Sequence, residues 1–248
     1  MSHLVLKNPH SVLAALETRP ADVFEVRVER SGAGDTWRRV ADAARAAGVT
    51  VREALPPGDR PRRRADKDRR GGGAEALVKE RQGIDLEPLF RSGPQESGLW
   101  LALDQLQDPH NVGAVFRTAA FFGVRGIVVT RDRSAPLSAA VYDVGSGGLE
   151  YVPFSVQTNL ARAIEAAKQS GVWVLGTSER AGKDVSQIDR DRRWLLVVGN
   201  EERGLRRLTL DHCDEVCRLT PRGPIGSLNV SVATGVLVAA LTGARGER

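Results

Sequence analysis

The residues best suited to chemistry lie in three short segments of the C-terminal half. In "LQDPHNVGAVFRTAAFFGVRGIVVT", residues 106 to 130, Asn111 and Arg117 stand six positions apart. Val112, Val115, Phe116, Ala119 and Phe122 recur at the spacing of one apolar helix face. Gly113, Ala114 and Phe121 make the other face nearly as apolar, which predicts a helix buried on both sides. Arg117 interrupts that second face, and no acidic residue lies within four positions of it. A guanidinium so placed either snorkels to water over its own stem or meets an anion from outside the chain.

In the second segment, "LLVVGNEERGL", the run "LLVV" ends in Gly199, Asn200 and Glu201, with Gly204 following. Glycine after a buried strand lets a ligand approach the backbone, and the carboxyl ends of parallel strands are where open α/β sheets bind ligands. The third segment, "TPRGPIGSLNVSVATGVLVAALTG", is rich in Pro and Gly before Ser227, Asn229 and Ser231 lead into a long apolar helix. Each has a plain structural alternative. Asn111 and Ser227 serve equally well as helix N-caps, and Gly199 and Gly204 as simple turn residues.

These segments need a scaffold of buried strands, and the sequence supplies one. "LWLALDQL", "GIVVT", "GVWVLGTS" and "RWLLVVGN" are continuous apolar runs, and helical patterns such as "NLARAIEAAKQSG" lie between them. Runs without alternation imply strands covered on both faces, hence a parallel sheet with helices on each side from residue 99 to 248. Residues 1–84 read as a smaller α/β unit. "SVLAALE" is a helix with Ser11 as its N-cap, "VFEVRVE" and "VTVREAL" are strands, "WRRVADAARAAG" is a helix, and "AEALVKE" is a strand or short helix. The polar stretch within 85–98 reads as a linker.

Composition narrows the function classes. No apolar run is long enough to cross a membrane and the N-terminus lacks a signal-peptide pattern, so a cytoplasmic protein is expected. Cys213 and Cys217, the only cysteines, lie beside His212 without a completing set of ligands, and read as reduced structural thiols and not as a metal site. The formal net charge of +5 suggests a polyanionic partner. "RPRRRADKDRR", residues 60 to 70, sets seven basic residues against Asp66 and Asp68, an excess equal to the whole net charge. Arg62, Arg63, Arg64, Arg69 and Arg70 are the candidate RNA contacts there, since arginine-rich loops order on RNA; a merely solvated loop is the alternative. "VYDVGSGGLE", residues 141 to 150, imitates the glycine loop of Rossmann-type methyltransferases, which must follow a buried strand and open a helix. Here a helical pattern precedes it and strand-like "YVPF" follows, so the motif is rejected.

Taken together, "DPHNVGAVFRTAAFFG", "VVGNEERGL" and "GPIGSLNVSVATG" resemble, in order, the three motifs of the SpoU (TrmH) family of RNA 2'-O-ribose methyltransferases of the SPOUT class. "HSVLAALE" and "RGGGAEALV" resemble the two ends of the ribosomal-protein-like RNA-binding domain of the members that modify large-subunit ribosomal RNA. The resemblance implies a trefoil-knotted C-terminal domain, a homodimer, bound S-adenosylmethionine, no metal, and methylation of a ribose 2'-hydroxyl, with a guanosine of 23S ribosomal RNA as substrate. By motif, Asn111 and Arg117 would face the RNA, Glu201 would brace the site, and Ser227 and Asn229 would complete the reacting centre. Thr177, Gly199, Asn200, Leu219 and Leu228 would cradle the cofactor. One departure from the family is visible: Leu219, Thr220 and Pro221 stand where Ile-Pro-Met is usual. A guanidinium is a poor base because it stays protonated, so Arg117 is expected to grip phosphate and developing alkoxide charge in its fork. A tRNA-modifying relative and a catalytically inactive RNA-binding or ribosome-assembly protein are the alternative readings.

Overall fold

The computed structural model describes residues 2–29, 34–54, 73–91, 97–200 and 203–243. Arg62, Arg63, Arg64, Arg69, Arg70 and Glu201 lie outside the described residues. The N-terminal part runs β1 (His3–Leu6), α1 (Pro9–Thr18), β2 (Val23–Val28), α2 (Asp35–Ala46), β3 (Thr50–Glu53) and β4 (Glu75–Lys79). Its sheet has the order β1-β4-β2-β3, antiparallel except for the parallel β2-β3 pair. "AEALVKE" is thus a strand.

Helix α1 begins three residues earlier than expected. Asn8, and not Ser11, is its N-cap, accepting from the His10 amide, because Pro9 at the first helical position has its φ already set and needs no donor partner. Ser11 is instead fully buried inside the helix. Its hydroxyl donates to the Tyr142 carbonyl at 2.6 Å and accepts from the Gly147 amide at 3.1 Å.

The C-terminal part runs α3 (Leu86–Phe90), β5 (Gly98–Leu103), α4 (Pro109–Phe121), β6 (Gly126–Thr130), α5 (Ala139–Gly145), α6 (Gly148–Tyr151) and β7 (Phe154–Gln157). It continues through α7 (Leu160–Gln169), β8 (Trp173–Thr177), β9 (Lys183–Asp184), β10 (Arg193–Val198), α8 (Arg207–Asp211), β11 (Glu215–Arg218) and α9 (Val230–Thr242). Seven strands in the order β7-β6-β5-β10-β8-β11-β9 form one parallel sheet.

Both faces of this sheet are buried, which is why its strands lack alternation. Leu99, Leu101 and Leu103 of β5 join Leu196 of β10 and Phe116 of α4 in one apolar cluster. Trp100, Ala102, Leu195 and Val197 belong to a second cluster with Phe90 of α3 and Ile164 of α7. The stretch expected as a linker therefore carries a docked helix: Leu89 and Phe90 are buried, and the Trp100 indole donates to the Leu89 carbonyl at 2.9 Å. The rejection of "VYDVGSGGLE" holds, since that segment is α5, a left-handed Ser146–Gly147 turn and α6, with strand β7 after it.

The two sheets share one core. Leu6, Val12 and Leu16 lie in the same apolar cluster as Tyr142 and Leu149. Around this contact the amides of Lys7 and Asn8 each donate to Asp143 at 2.9 Å, and Arg19 makes a two-point ion pair with Glu150 at 2.7 Å. Burial, followed by the Glu150 charge, pushes the Tyr142 phenol up to about 12. Among the described residues no helix is long and apolar enough to cross a membrane.

Candidate active site

Helix α4 starts as α1 does, with Asp108 accepting from the His110 amide and Pro109 at its first position. Asn111 is therefore not a cap but a first-turn residue, 7% exposed. Six residues further, Arg117 is exposed. Six steps of an α-helix turn about 600° and rise about 9 Å, so Asn111 faces inward and Arg117 outward. The expectation of a helix buried on both sides is corrected in part: Gly113 on the second face is buried, but Arg117 is exposed there and Phe121 is 82% exposed. Apolar periodicity reports residue type and not the neighbours a face meets, which is why the sequence did not show this. The inner face fits so closely that a Cβ at Gly148 would lie 2.5 Å from the Phe116 carbonyl oxygen and 2.8 Å from the Arg117 nitrogen. Among the described residues no ion pair or hydrogen bond engages the Arg117 side chain.

Of the expected cofactor residues, Thr177, Gly199, Asn200 and Leu219 sit at the carboxyl ends of three neighbouring strands, β8, β10 and β11, and Leu228 lies in the loop before α9. Thr177 Oγ1 donates to the Val197 carbonyl at 3.1 Å and the Ser178 amide to the Cys217 carbonyl at 3.0 Å, holding these ends side by side. After β10 the chain doubles back through an Asn200–Gly204 bridge. Gly199 is buried in that fold, and a Cβ there would lie 2.3 Å from the Gly204 carbonyl carbon. Gly199→Ala should therefore cost about 1–3 kcal/mol, as overpacking does, measured by denaturant unfolding. A loss near zero would show that the loop yields freely. The Asn200 side chain donates to the Gln105 carbonyl at 3.0 Å and so ties this loop to the end of β5.

Leu219 and Leu228 meet across an open cleft of about 510 Å³, lined also by Asp184, Val185, Ser186, Thr220, Arg222 and Val236. Leu228 is 54% and Val236 45% exposed, an apolar wall suited to the flat face of a nucleobase. Ser227 and Asn229 are exposed beside it. Asn229 caps α9, its side-chain oxygen accepting from the Ser231 amide at 2.9 Å; Ser227 caps nothing.

Sequence reasoning missed Asp184. It accepts from the Thr220 hydroxyl at 2.6 Å and amide at 3.1 Å, and from the Ser186 hydroxyl at 2.7 Å and amide at 3.0 Å. These donors, the Thr220 hydroxyl foremost, hold its carboxyl well below the usual carboxylate range. Thr220, the departure from the family pattern, is thus matched by an acceptor that pins the loop after β11. Its signal was the D-x-x-Q spacing to Gln187, a capping box. Cys213 and Cys217 are free. Burial pushes their thiols up to about 11 and about 12, so they stay protonated and unreactive at neutral pH.

Comparison with known proteins agrees with this architecture. The chain is 43% identical over 186 residues to a 23S rRNA (guanosine-2'-O-)-methyltransferase RlmB of Pseudomonas aeruginosa, covering 73% of this chain and 75% of that protein. It is 37% identical over 238 residues to the Bordetella pertussis protein of the same name, covering 94% of each. Among solved structures, the SpoU methyltransferase AviRb from Streptomyces viridochromogenes in complex with the cofactor AdoMet shares the fold, with a TM-score of 0.78 at 21% identity over 97% of this chain and 89% of that one. An AdoMet-bound rRNA methyltransferase from Sinorhizobium meliloti does so with a TM-score of 0.73 at 23% identity, over 96% and 86%. Residues 98–239 match the SpoU rRNA methylase family, and with these relatives the match shows that the chain belongs to it.

Proposed function

We propose that this protein transfers a methyl group from S-adenosylmethionine to the 2'-hydroxyl of a guanosine ribose in 23S ribosomal RNA. The observation that carries the reading is Arg117, exposed and without a protein partner among the described residues, on a helix that starts beside the glycine turn after β10. The residues present fit the cofactor: Leu219, Leu228 and Val236 offer apolar wall to the open cleft, and Gly199 lets the loop after β10 fold tightly against the strand end. Thr177, Gly199, Asn200, Leu219 and Leu228 hold it, mainly through backbone. When bound, it supplies a methyl group already activated by its sulfonium.

The chain's own task is alignment and charge stabilisation. Arg117 grips the phosphate next to the target ribose and stabilises the developing alkoxide with its planar fork. Glu201 braces the site, and Ser227 and Asn229 complete the reacting centre; Asn111, expected to face the RNA beside Arg117, is buried at the start of the same helix and acts from there. Arg62, Arg63, Arg64, Arg69 and Arg70 extend the grip on RNA from the N-terminal unit, residues 1–84, a ribosomal-protein-like RNA-binding domain joined through 85–98 to the methyltransferase domain at 99–248.

Two structural statements belong to the same proposal. The C-terminal domain is a trefoil knot, supported by α9 returning from the far side of the sheet, after β11, to pack on α4 and β5. The active form is a homodimer in the cytoplasm, the dimer supported by the exposed apolar side chains of Phe121, Ile225, Val232 and Val236 on α4, α9 and the loop before α9.

The test is calorimetry with S-adenosylmethionine, followed by transfer of labelled methyl to 23S ribosomal RNA and to tRNA transcripts. Cofactor binding with methyl transfer to 23S ribosomal RNA is expected. Methylation of tRNA alone would replace the substrate, and absence of cofactor binding would leave an assembly protein.

A further inference from the structure

We propose that the turn after β6, carrying Arg131 and Arg133, is a second RNA-contact element that grips backbone phosphates flanking the target nucleotide. The proposal rests on the functional reading above and assigns it residues outside the three motifs. The turn lies at the carboxyl edge of the sheet, the edge that carries the Gly199–Gly204 loop. It is built firmly into that edge. Thr130 Oγ1 accepts from the Gln105 amide at 2.9 Å, donates to the Leu103 carbonyl at 3.1 Å, and bonds Ser134 Oγ at 2.7 Å. The Arg131 amide donates to the Gln157 carbonyl at 2.8 Å and the Ala135 amide to the Leu106 carbonyl at 2.8 Å, closing the turn at both ends. Gln105 is the residue whose carbonyl receives Asn200, so the turn, the end of β5 and the loop after β10 form one hydrogen-bonded rim.

From this fixed base Arg131, Asp132 and Arg133 project into solvent. Some arginines have a carboxylate, as Arg19 has Glu150, Arg27 has Glu25 and Glu75, and Arg206 on the same rim has Asp104, while exposed Arg39, Arg162 and Arg180 have no ion pair among the described residues. Among the described residues neither Arg131 nor Arg133 has such a partner, although Asp132 lies between them. In this they match Arg117. Arg133 also holds φ +57°, the left-handed region that suits glycine and costs a residue with a side chain. An arginine kept there, unpaired and pointing outward, gives the fold nothing that glycine would not give better. Its guanidinium is what remains to explain it, and a turn that presents two such forks on the rim it shares with the glycine loop suits contacts to phosphate oxygens.

The full-length protein with bound S-adenosylmethionine, as wild type, Arg131→Ala/Arg133→Ala and Arg133→Gly, is titrated with a 23S ribosomal RNA fragment across a salt series. Melting temperature and single-turnover methyl transfer at saturating RNA are measured on the same preparations. The double variant should bind RNA about tenfold more weakly, and the slope of log K against log salt should fall by about one and a half. Transfer at saturating RNA and cofactor affinity should hold. Arg133→Gly should lose RNA affinity while its melting temperature stays level or rises, two readouts that a folding role would move together. Unchanged salt slopes, or a melting temperature falling in step with RNA affinity, would overturn the proposal. Wild type that binds the fragment in this arginine-dependent way without methylating it would overturn the functional reading and support this one.

Discussion

Arg117→Lys is expected to lower single-turnover methyl transfer on saturating RNA about a hundredfold, a loss of roughly 2.7 kcal/mol of transition-state stabilisation. Lysine keeps the charge and the helix propensity but replaces a planar fork with a mobile point charge, so the substitution tests geometry alone. The structure makes the test clean. The Arg117 side chain lies on the open face of α4, with no carboxylate or carbonyl partner among the described residues, so its replacement removes no folding contact beyond its stem. Melting temperature and S-adenosylmethionine affinity should therefore stay at wild-type values. If Arg117 were only a snorkelling residue, the lysine variant would turn over almost normally, and that result would falsify its catalytic role.

What could be read from the sequence, and what could not, divides along the range of the interactions. β5, β6, β8 and β10 were readable because burial on both faces leaves a local trace, an unbroken apolar run. The same logic failed on α4, where Phe121 is apolar but faces outward; type and spacing cannot say whether a face has a neighbour in the same chain. Ser11 was misread for a similar reason. Its two hydrogen bonds reach Tyr142 and Gly147, more than 130 residues away, and nothing in "PHSVLAALE" announces them. The candidate cofactor residues were named through motif resemblance, whereas Asp184, which anchors the loop after β11 that begins at Leu219, lies outside every motif. "IDLEPLF" was folded into a linker because five helical residues are too few to show a period, yet Leu86, Leu89 and Phe90 cover Trp100.

The contact least visible in the sequence should have the largest effect on stability. Glu150 lies in the segment that imitates a cofactor loop, and its side chain is fully buried. Both its oxygens accept from Arg19, Oε2 from Nε and Oε1 from Nη2, each at 2.7 Å, while Arg19 Nη1 donates to the Lys79 carbonyl at 2.6 Å. Arg19→Ala would leave a carboxylate enclosed without its counter-charge, and breaking a buried pair in this way costs about 3–5 kcal/mol. Replacing both partners is different. Arg19→Met with Glu150→Leu removes the desolvation cost together with the attraction, so the double variant should recover most of the loss. Urea unfolding of the two single variants and the double one measures this. Additive losses, or a single-variant loss under about 1 kcal/mol, would show that the pair is screened like a surface bridge. The pair joins α1 of the N-terminal unit to α6, and α6 meets the backbone of Phe116 and Arg117 through Gly148 with no room for a Cβ. The double variant, once folded, therefore separates stability from positioning: if the ion pair also sets the angle between the N-terminal unit and the Arg117 helix, RNA affinity should stay reduced although stability returns.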